Sequence, residues 1–231
     1  MFSTLPKETI NDIVQWDVKT WSTAIDYWEA HVDWSKPLKG MELGGREGGL
    51  SLWMALKGVD VVCSDLEGVK ETATPLHVKY NLAQKIHYQD IDATNIPYEN
   101  HFDVICFKSI IGGVGRDGHS EKQQKAFNEI YKALKPGGRL LFAENLVASP
   151  MHRTLRSMFV RWGNSWRYVT TGELKSFMNK FSSVEIQTTG VASAFGRSES
   201  QRNMLASVDQ SFLNHIFPRD WKYIAYGVAV K

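Results

Sequence analysis

The sequence is poor in cysteine and proline, and both shortages exclude whole classes of protein. Only two of its 231 residues are cysteine and seven are proline, so neither a disulfide-stapled scaffold nor a proline-rich linker is indicated. Cys63 and Cys106 each lie within an apolar run that is typical of a buried strand. We therefore predict two reduced core thiols, neither of them a nucleophile or a metal ligand, and we predict no metal site.

Long apolar runs and an excess of one charge are also missing. No stretch approaches the roughly 20 apolar residues that span a bilayer, and the first ten residues, MFSTLPKETI, have neither a basic leader nor an apolar core. We therefore expect a cytoplasmic protein without a membrane span. The formal net charge is only +2, with both signs interspersed, which argues against a dedicated nucleic-acid binder.

Short apolar runs alternate with helical patterns from about Leu38 onward. This alternation predicts an α/β fold, a doubly wound and mostly parallel sheet covered by helices on both faces. The last two strands can pair antiparallel, which suits a sheet of seven strands with a reversed last strand. The strand candidates are LKGMEL, VDVVCS, KIHYQ, FDVICF, RLLFAE, SVEIQT and YIAYGVAV.

Helical periodicity fills several of the segments between these strands. Apolar residues recur at spacings of three and four in GLSLWMALKG, EKQQKAFNEIYKALK and TGELKSFMNKF. The turn Lys135–Gly138, with the sequence KPGG, should end a helix and begin the strand RLLFAE. Residues 1–34 carry four tryptophans among polar residues, so we expect amphipathic helices across one edge of the sheet. These four are Trp16, Trp21, Trp28 and Trp34.

A single domain of residues 1–231 accommodates all of these elements. We expect an N-terminal helical cap over 1–37, a cofactor-binding half over 38–145 and a substrate-side half over 146–231. The sequence does not indicate the oligomeric state.

The segment MELGGREGGL, residues 41–50, follows the first predicted strand and opens a helix. A ligand crevice is expected at such a turn, because backbone amides at the helix start face the carboxyl end of the strand. The dinucleotide fingerprint G-x-G-x-x-G needs a second glycine for close approach to a pyrophosphate, and Arg46 stands there. The loop therefore favours a ligand without phosphate.

Two acids flank this crevice at the ends of neighbouring predicted strands. Glu42 precedes Gly44 by two residues, and Asp65 ends the next strand. An acid at the second strand end accepts hydrogen bonds from a ribose diol, and an acid before the glycines suits a cationic ligand. Taken singly, each could be a solvated strand end; together they fit a positively charged nucleoside.

The ordered segments ELGGREGG, SDLEG, DATNIP, FDVICFKS and LKPGGRLLFAEN resemble the class I S-adenosylmethionine-dependent methyltransferase family over about residues 38–145. The family pattern of an acid, any residue and then G-x-G-x-G is matched at Glu42, Gly44 and Gly48, with Arg46 replacing the middle glycine. The resemblance implies S-adenosyl-L-methionine as the cofactor and methyl transfer as the reaction.

The resemblance also implies which residues hold the cofactor. Asp65 would bind the ribose hydroxyls and Leu66 would pack on adenine, while Asp92 and Ala93 would meet the adenine amino edge. Asp90 is an alternative to Asp92, which is preferred because it directly precedes the ATNIP segment. The remaining expected cofactor-site residues are Glu42, Gly44, Gly45, Arg46, Gly48, Phe107 and Lys108, the last two also bordering the acceptor.

Methyl transfer from a sulfonium needs alignment of the reacting groups and exclusion of water, so a catalytic base is optional. If the acceptor is a hydroxyl, candidate bases are His119, Glu144 and His152. The arginine- and aromatic-rich segment after the fifth strand is a candidate acceptor pocket for an anionic or sugar-like molecule. Its candidate contacts are Arg153, Arg156, Trp166, Arg167 and Tyr168.

The acceptor class is narrowed by two absences. No Asn/Asp-Pro-Pro-aromatic motif follows the fourth strand, where the chain reads FKSIIGG, which argues against methylation of base amino groups. The near-neutral charge weakens an RNA substrate. A small metabolite, a natural product or a sugar remains. Two rival interpretations are an NAD(P)-dependent oxidoreductase, against which Arg46 in the glycine loop argues, and a non-catalytic partner that keeps a degraded cofactor pocket.

Overall fold

A computed structural model, which describes residues 2–159 and 165–231, contains a seven-stranded sheet. The strand order is β3-β2-β1-β4-β5-β7-β6, and β7 alone runs antiparallel to its two neighbours. The predicted α/β fold with a reversed last strand is confirmed. The strands are β1 Lys39–Leu43, β2 Asp60–Asp65, β3 Ile86–Asp90, β4 Phe102–Lys108, β5 Leu134–Asn145, β6 Ser183–Thr189 and β7 Ile224–Val230.

Helices cover both faces of this sheet. They are α1 Lys7–Val14, α2 Val18–Glu29, α3 Gly49–Leu56, α4 Val69–Lys79, α5 Ile111–Val114, α6 Ser120–Ala133, α7 Pro150–Phe159, α8 Thr171–Phe177, α9 Glu199–Val208 and α10 Asn214–Ile216. Of α7, side chains are described only as far as Thr154. A π-helical turn, Asp209–Leu213, joins α9 to α10 and makes residues 199–216 one continuous helical stretch.

The helix before the KPGG turn ends, and the strand after it begins, earlier in the chain than the sequence predicts. Helix α6 ends at Ala133, and β5 already begins at Leu134, although regular pairing of β5 with β4 starts only at Arg139, opposite Val104. Gly137, with φ +75°, supplies the left-handed residue that this turn needs.

Two apolar cores lie on the two faces of the sheet. One contains α1, α2 and α3 residues such as Trp28 and Trp53, and the other contains α6 residues such as Phe127 against Phe107 and Phe142. Alternate residues of each strand enter opposite cores, because successive side chains point to opposite faces. Both faces are therefore buried, which accounts for the nearly continuous apolar runs of the central strands.

The N-terminal helices cover a face of the sheet, so the expectation that they lie across one edge is wrong. Trp28 in α2 donates its indole N–H to the Gly227 carbonyl of β7 at 3.0 Å, and its ring lies against Trp53 of α3. Helix α1 reaches the start of α3, where the Ile13 carbonyl lies so close to Gly49 that a β-carbon would overlap it. The tryptophans are apolar anchors for this face.

Gly227 in β7 should tolerate no side chain. A β-carbon there would overlap the Glu185 carbonyl oxygen of β6 and lie 2.8 Å from Phe142 Cζ. We expect Gly227→Ala to lower the free energy of unfolding by about 1–3 kcal/mol, the usual cost of overpacking, in urea denaturation. Gly172→Ala is the control, since its β-carbon would meet only Thr170 Oγ1 at 3.8 Å. Equal stability of the two variants would contradict the prediction.

Candidate functional site

The glycine loop after β1 is built around the buried carboxylate of Glu42. Its two oxygens accept hydrogen bonds from the amides of Leu50, at 3.2 Å, and Ser51, at 2.7 Å, in the first turn of α3. Only 4 % of the side chain is exposed, and this burial raises its pKa to about 7. Glu42 therefore anchors the start of α3 from inside the protein and does not project into the crevice.

Most amides of the loop are already bonded within the chain. The Gly45 amide donates to the Ser64 carbonyl at 2.8 Å, the Arg46 amide to Asp65 at 2.8 Å, and the Gly48 amide to the Gly45 carbonyl at 2.6 Å. Together with the two amides on Glu42, five donors between residues 45 and 51 are occupied. A pyrophosphate is held by such amides pointing at the ligand, so this loop lacks the phosphate cradle of a dinucleotide site.

Arg46 adopts a conformation that glycine usually supplies. Its φ is +47°, and its carbonyl accepts a hydrogen bond from the Thr72 hydroxyl at 2.9 Å. The side chain is exposed, and its guanidinium makes no hydrogen bond or ion pair with the described residues. The loop therefore keeps its left-handed turn, at an energetic cost, with a cation directed to its surface.

His77 of α4 contacts the glycine loop from the protein interior. This residue was not identified from the sequence. Its Nε2 lies 2.9 Å from the Gly48 carbonyl, to which it donates, and its Nδ1 accepts from the Tyr88 hydroxyl at 2.8 Å. The ring is fully buried, and burial lowers its pKa, which keeps it neutral. A β-carbon on Gly48 would come within 2.5 Å of the ring, so glycine is required there.

The end of β2 presents an acid beside an exposed apolar side chain. The Asp65 carboxylate accepts hydrogen bonds from the amides of Arg46 and Leu66, at 2.8 and 2.7 Å, and the residue remains partly exposed. Leu66 is 65 % exposed, an unusual fraction for a leucine next to a buried strand. A carboxylate and an apolar platform thus stand together at the edge of the glycine loop.

At the end of β3, the structure distinguishes the two acids that the sequence left as alternatives. Asp90 accepts the amides of Gly68 and Val69, at 3.0 and 3.1 Å, and so caps the start of α4. Asp92 is exposed and accepts only from the amide and hydroxyl of Thr94. Ala93 is partly buried beside it. Asp90, like Asp65, is thus bonded to two backbone amides, whereas the side-chain hydrogen bonds of Asp92 to the described residues are confined to Thr94.

Phe107 and Lys108 are the last two residues of β4, and their side chains lie in different environments. Phe107 is fully buried, edge-on to Phe127, and lies within the core rather than at the crevice surface. The Lys108 ammonium donates to the Val14 carbonyl and lies 5.1 and 5.4 Å from the ring centroids of Trp16 and Trp21. Burial lowers the Lys108 pKa to about 8, against the opposing effect of Glu42.

The three candidate bases lie on different elements: Glu144 in β5, His152 in α7 and His119 just before α6. Glu144 is fully buried and accepts the amides of Ile110, Ile111 and Asn145, at 2.7–2.9 Å, so it caps α5; burial raises its pKa to about 7. Both ring nitrogens of His152 are engaged, one with Ser149 at 2.7 Å and one with the Val191 carbonyl at 2.8 Å.

His119, the third candidate, is exposed and lies 2.6 Å from Glu121 in the first turn of α6. Each of these three groups thus has a contact within the protein that accounts for its position. None of them is placed by the structure against a defined acceptor.

Some residues of the arginine-rich segment make contacts that stabilise the fold. Arg167 donates to Gln123 and to Glu173, both at 2.5 Å, and so ties α6 to α8. Trp166 lies on Gly112, where a β-carbon would overlap its indole. Tyr168 is partly buried. The side chain of Arg156 lies outside the described residues.

Arg153 is exposed and borders a cavity of about 520 Å³. Its other walls come from the segments after β5, before β7 and at the start of α8. They are Leu146, Val147, Ala148, Val169, Thr170, Thr171, Gly172, Asp220 and Trp221.

A buried hydrogen-bond network that sequence reasoning missed lies near the same end of the sheet. The Tyr223 hydroxyl donates to Asp17 and lies 2.9 Å from the Ser193 hydroxyl, which donates to Asp209 at 2.5 Å. Burial raises the Asp17 pKa to about 6. These four residues are far apart in the sequence, so no local pattern could have connected them.

Backbone strain marks this end of the sheet. Asn and Asp tolerate positive φ, but four other non-glycine residues adopt it as well. They lie in the α1–α2 turn or just beyond β1, β4 and β5: Gln15, Arg46, Ser109 and Ala148. Strained residues of this kind cluster at functional sites, which identifies the carboxyl ends of β1 and β4 as the candidate site.

Other kinds of site find no support in residues 2–159 and 165–231. This part of the chain has no group of three or more His, Cys, Asp or Glu residues arranged to hold a metal ion. Within the same residues, no helix is both long enough and apolar enough to cross a membrane. Cys63 and Cys106 are free and buried, and burial raises the pKa of both thiols.

Comparison with known proteins identifies the domain. The sequence profile of the methyltransferase-domain family matches residues 41–142, a little under half of the chain. Residues 41–142 of this chain are thus similar to a methyltransferase domain. The ubiquinone/menaquinone biosynthesis C-methyltransferase of Methylococcus capsulatus is 42% identical over 64 residues, which are 27% of this chain and 23% of that protein.

Two solved structures share the methyltransferase fold over most of this chain. Phosphoethanolamine N-methyltransferase 2 of Haemonchus contortus, solved with phosphomonomethylethanolamine and S-adenosylhomocysteine, has a TM-score of 0.61 and 18% identity over 91% of this chain and 52% of its own. An S-adenosylmethionine-dependent methyltransferase of Methanosarcina mazei has a TM-score of 0.64 and 14% identity, over 88% and 96%. The chain thus spans about a quarter of the Methylococcus protein and half of the Haemonchus one.

The buried Glu42 carboxylate should give the methyltransferase domain a characteristic pH dependence. Because its folded pKa of about 7 exceeds the ordinary 4.5, its contribution to stability is full below pH 4.5 and is lost as pH rises through 7. We therefore expect that, as the pH is raised from 5 to 8, the free energy of unfolding of Glu42→Gln increases by about 1–3 kcal/mol relative to that of the wild type. Urea denaturation at each pH measures this difference. Exposed Glu67→Gln controls for the lost charge. A pH-independent difference for Glu42→Gln would contradict the burial of an ionisable carboxyl.

The contact between Gly48 and His77 can be tested with a matched pair of glycines. Gly48 and Gly68 have similar φ values, +76° and +67°, but of the two only Gly48 has a neighbour within 4 Å of the place that a β-carbon would take. Alanine at either position costs backbone strain of about 1 kcal/mol, and Gly48→Ala must also displace His77. We expect Gly48→Ala to be the less stable by at least about 1 kcal/mol in thermal and urea unfolding. Equal losses would show that the ring moves freely.

Proposed function

We propose that this chain binds S-adenosyl-L-methionine at the carboxyl end of the sheet and transfers its methyl group to a small-molecule, natural-product or sugar acceptor. The observation that carries the proposal is the pair at the end of β2. Asp65 offers carboxylate lone pairs to a diol, and Leu66, 65 % exposed, offers an apolar surface beside it. Ribose and adenine need these two surfaces next to each other.

The residues present fit this cofactor. Asp65 would hold the ribose hydroxyls, Leu66 would pack on the adenine, and Asp92 with Ala93 would meet its amino edge. Gly44 and Arg46 have left-handed backbone conformations. These conformations let the loop turn tightly at the end of β1, which would leave space for a ligand beside it. When bound, S-adenosylmethionine supplies a methyl group activated by a cationic sulfur.

Glu42 has a different role in this proposal from the one its position in the sequence suggests. Its carboxylate is bonded to Leu50 and Ser51, so it orders the loop and adds negative potential beneath a cationic ligand without touching it. A β-carbon on Gly45 would lie 3.2 Å from both Glu42 and Cys63, a tight contact that would require these side chains to shift by a few tenths of an ångström.

The rival interpretations have less support. A nicotinamide dinucleotide needs free loop amides for its pyrophosphate, and five of those between residues 45 and 51 are bonded internally. A non-catalytic partner with a degraded pocket is disfavoured by the preserved loop turn and by the free faces of Asp65, Leu66 and Asp92. Arg46, the main sequence argument for degradation, takes the backbone conformation of the glycine it replaces.

The acceptor would lie over the ends of β4 and β5. Ser109 and Asn145 are partly buried there and joined by a 2.6 Å hydrogen bond from the Asn145 amide, and Lys108 adds a cation. These groups can orient a polar acceptor, and the cavity bordered by Arg153 offers room for a larger body with negative charge. His119, Glu144 and His152 remain candidate bases only for a hydroxyl acceptor, since the displacement itself needs alignment above all.

We further propose a cytoplasmic location and the division of the chain into an N-terminal cap, a cofactor-binding half and a substrate-side half. The two reduced, buried thiols are consistent with a reducing compartment. Val14 and Trp16, which contact Lys108, are the part of the N-terminal cap that reaches the candidate site.

Asp65→Ala should weaken cofactor binding by about 1–3 kcal/mol, because a hydrogen-bonded charged acceptor is lost. Isothermal titration calorimetry with S-adenosylmethionine, S-adenosylhomocysteine and NAD measures this directly. Asp60→Ala, at the opposite end of the same strand, is the matched control and should bind as the wild type does. Unchanged affinity of Asp65→Ala, or binding of NAD alone, would remove Asp65 from the proposed role.

The transfer reaction itself is tested by incubating the protein with methyl-labelled S-adenosylmethionine and extracts of metabolites or glycans. Mass spectrometry should detect a labelled small-molecule product, and at a limiting cofactor concentration its yield should fall with Asp65→Ala in line with the weaker binding. Cofactor binding without any labelled product from any acceptor class would favour the non-catalytic interpretation.

A further inference from the structure

Four exposed apolar side chains form a line along the helical stretch before β7. They recur at every fourth residue, and their exposed fractions are 45–63 %. This apolar stripe consists of Met204, Val208, Phe212 and Ile216. Residues four apart lie on one face of a helix, so the stripe is a continuous surface rather than a set of scattered side chains.

The opposite face of the same stretch is fixed to the protein. Ala206 is buried, Ser207 accepts a hydrogen bond from Lys19 of α2 at 2.6 Å, and the Gln210 amide reaches the Thr23 hydroxyl at 3.4 Å. The stripe therefore faces away from the domain.

The π-helical turn Asp209–Leu213 helps to keep the stripe straight. Side chains four apart on an α-helix drift slowly around its axis, since a turn holds 3.6 residues, and a wider turn offsets that drift. The turn occurs where buried Asp209 accepts the amides of Val191, Ala192 and Ser193, at 2.8–3.0 Å. The chain thus holds the apolar side chains in line by means of a buried contact on the other face.

The charges around the stripe are predominantly positive. Arg197 and Arg219 are exposed near its two ends, and the Arg219 guanidinium also donates to the Ile186 carbonyl. The acids of this region have partners within the chain: Glu199 accepts hydrogen bonds from the amides of Asp17 and Val18 and lies 3.6 Å from Arg202, Asp209 is buried, and the exposed Asp220 accepts one from the Thr171 hydroxyl at 2.7 Å. A basic border around an apolar face complements a negatively charged partner.

The size of the stripe bears on which partner that is. The stripe runs over thirteen helical residues, 204–216, so it is about 20 Å long and about 10 Å wide, which gives roughly 200 Å². A stable protein interface needs about 800 Å² from each partner, so the stripe alone is too small to hold a second copy of the chain. A lipid surface needs no complementary shape and accepts a narrow apolar face of this kind.

We propose that the apolar stripe and its basic border bind the surface of membranes that contain anionic phospholipid. Met204, Val208, Phe212 and Ile216 would enter the boundary between headgroups and acyl chains, while Arg197 and Arg219 would meet lipid phosphates. Trp221, 45 % exposed and 5.9 Å from Phe217, adds an aromatic ring just beyond the stripe. This binding is independent of the proposed methyl transfer.

Vesicle co-sedimentation of the full chain tests the proposal. The protein should sediment with vesicles of phosphatidylcholine mixed with phosphatidylglycerol, more weakly with phosphatidylcholine alone, and less as salt is raised. The double variant Phe212→Ser/Ile216→Ser should lose affinity by about tenfold or more, because two apolar side chains no longer leave water. Leu56→Ser/Val78→Ser, which alters two exposed apolar residues on α3 and α4, is the matched control and should bind normally.

A second pair of variants separates charge from apolar insertion. Arg197→Gln/Arg219→Gln should weaken binding to the anionic vesicles only. Failure to bind anionic vesicles, equal affinity for neutral ones, or unchanged binding by Phe212→Ser/Ile216→Ser would overturn the proposal. A wild-type dimer in sedimentation velocity that dissociates in the serine variant would also overturn it, since the stripe would then be an interface between copies. Circular dichroism and S-adenosylmethionine binding confirm that each variant is folded.

Discussion

The buried carboxylate of Glu42, with two α3 amides on its oxygens, is the constraint on which the rest of the site depends. It fixes where the helix starts and therefore how the loop of residues 44–48 crosses the end of β1. His77 supports the same loop through the Gly48 carbonyl. Because these contacts engage the loop from inside, its donors are not available to a phosphate. In the proposed cofactor complex, recognition would come instead from the neighbouring strand ends, where Asp65 and Asp92 lie.

The site is also closed by segments that are remote in sequence. The end of α1 lies against α3 at Gly49, and its Val14 carbonyl accepts a hydrogen bond from the Lys108 ammonium, while the buried Asp17 carboxylate accepts one from the Tyr223 hydroxyl just before β7. Lys108 and Asp17 are costly to bury unless they are paired or hydrogen-bonded. Their contacts join the two ends of the chain over the carboxyl edge of the sheet, so the geometry of the acceptor side depends on how the N-terminal helices dock.

Much of the sheet could be predicted from the sequence because burial on both faces leaves continuous apolar runs, as in FDVICF of β4. The end of β2 could also be identified, since an acid after such a run has a known position. The sequence could not show that Glu42 turns inward, nor that Asp90 rather than Asp92 caps α4, because both outcomes depend on which amides lie nearby in space. His77, Asp17 and Tyr223 could not be identified from the sequence for the same reason, because their hydrogen-bond partners are distant along the chain.

Helix α9 connects the outer surface to the candidate site by a short physical path. Its first residue, Glu199, accepts the amides of Asp17 and Val18 and thereby caps α2 from another part of the chain. The residues just before that cap, Val14 and Trp16, surround the Lys108 ammonium. Helix α9 and the Lys108 ammonium are therefore connected by hydrogen bonds that pass through the α1–α2 turn, so correct docking of α9 helps to hold this turn in place over the end of β4.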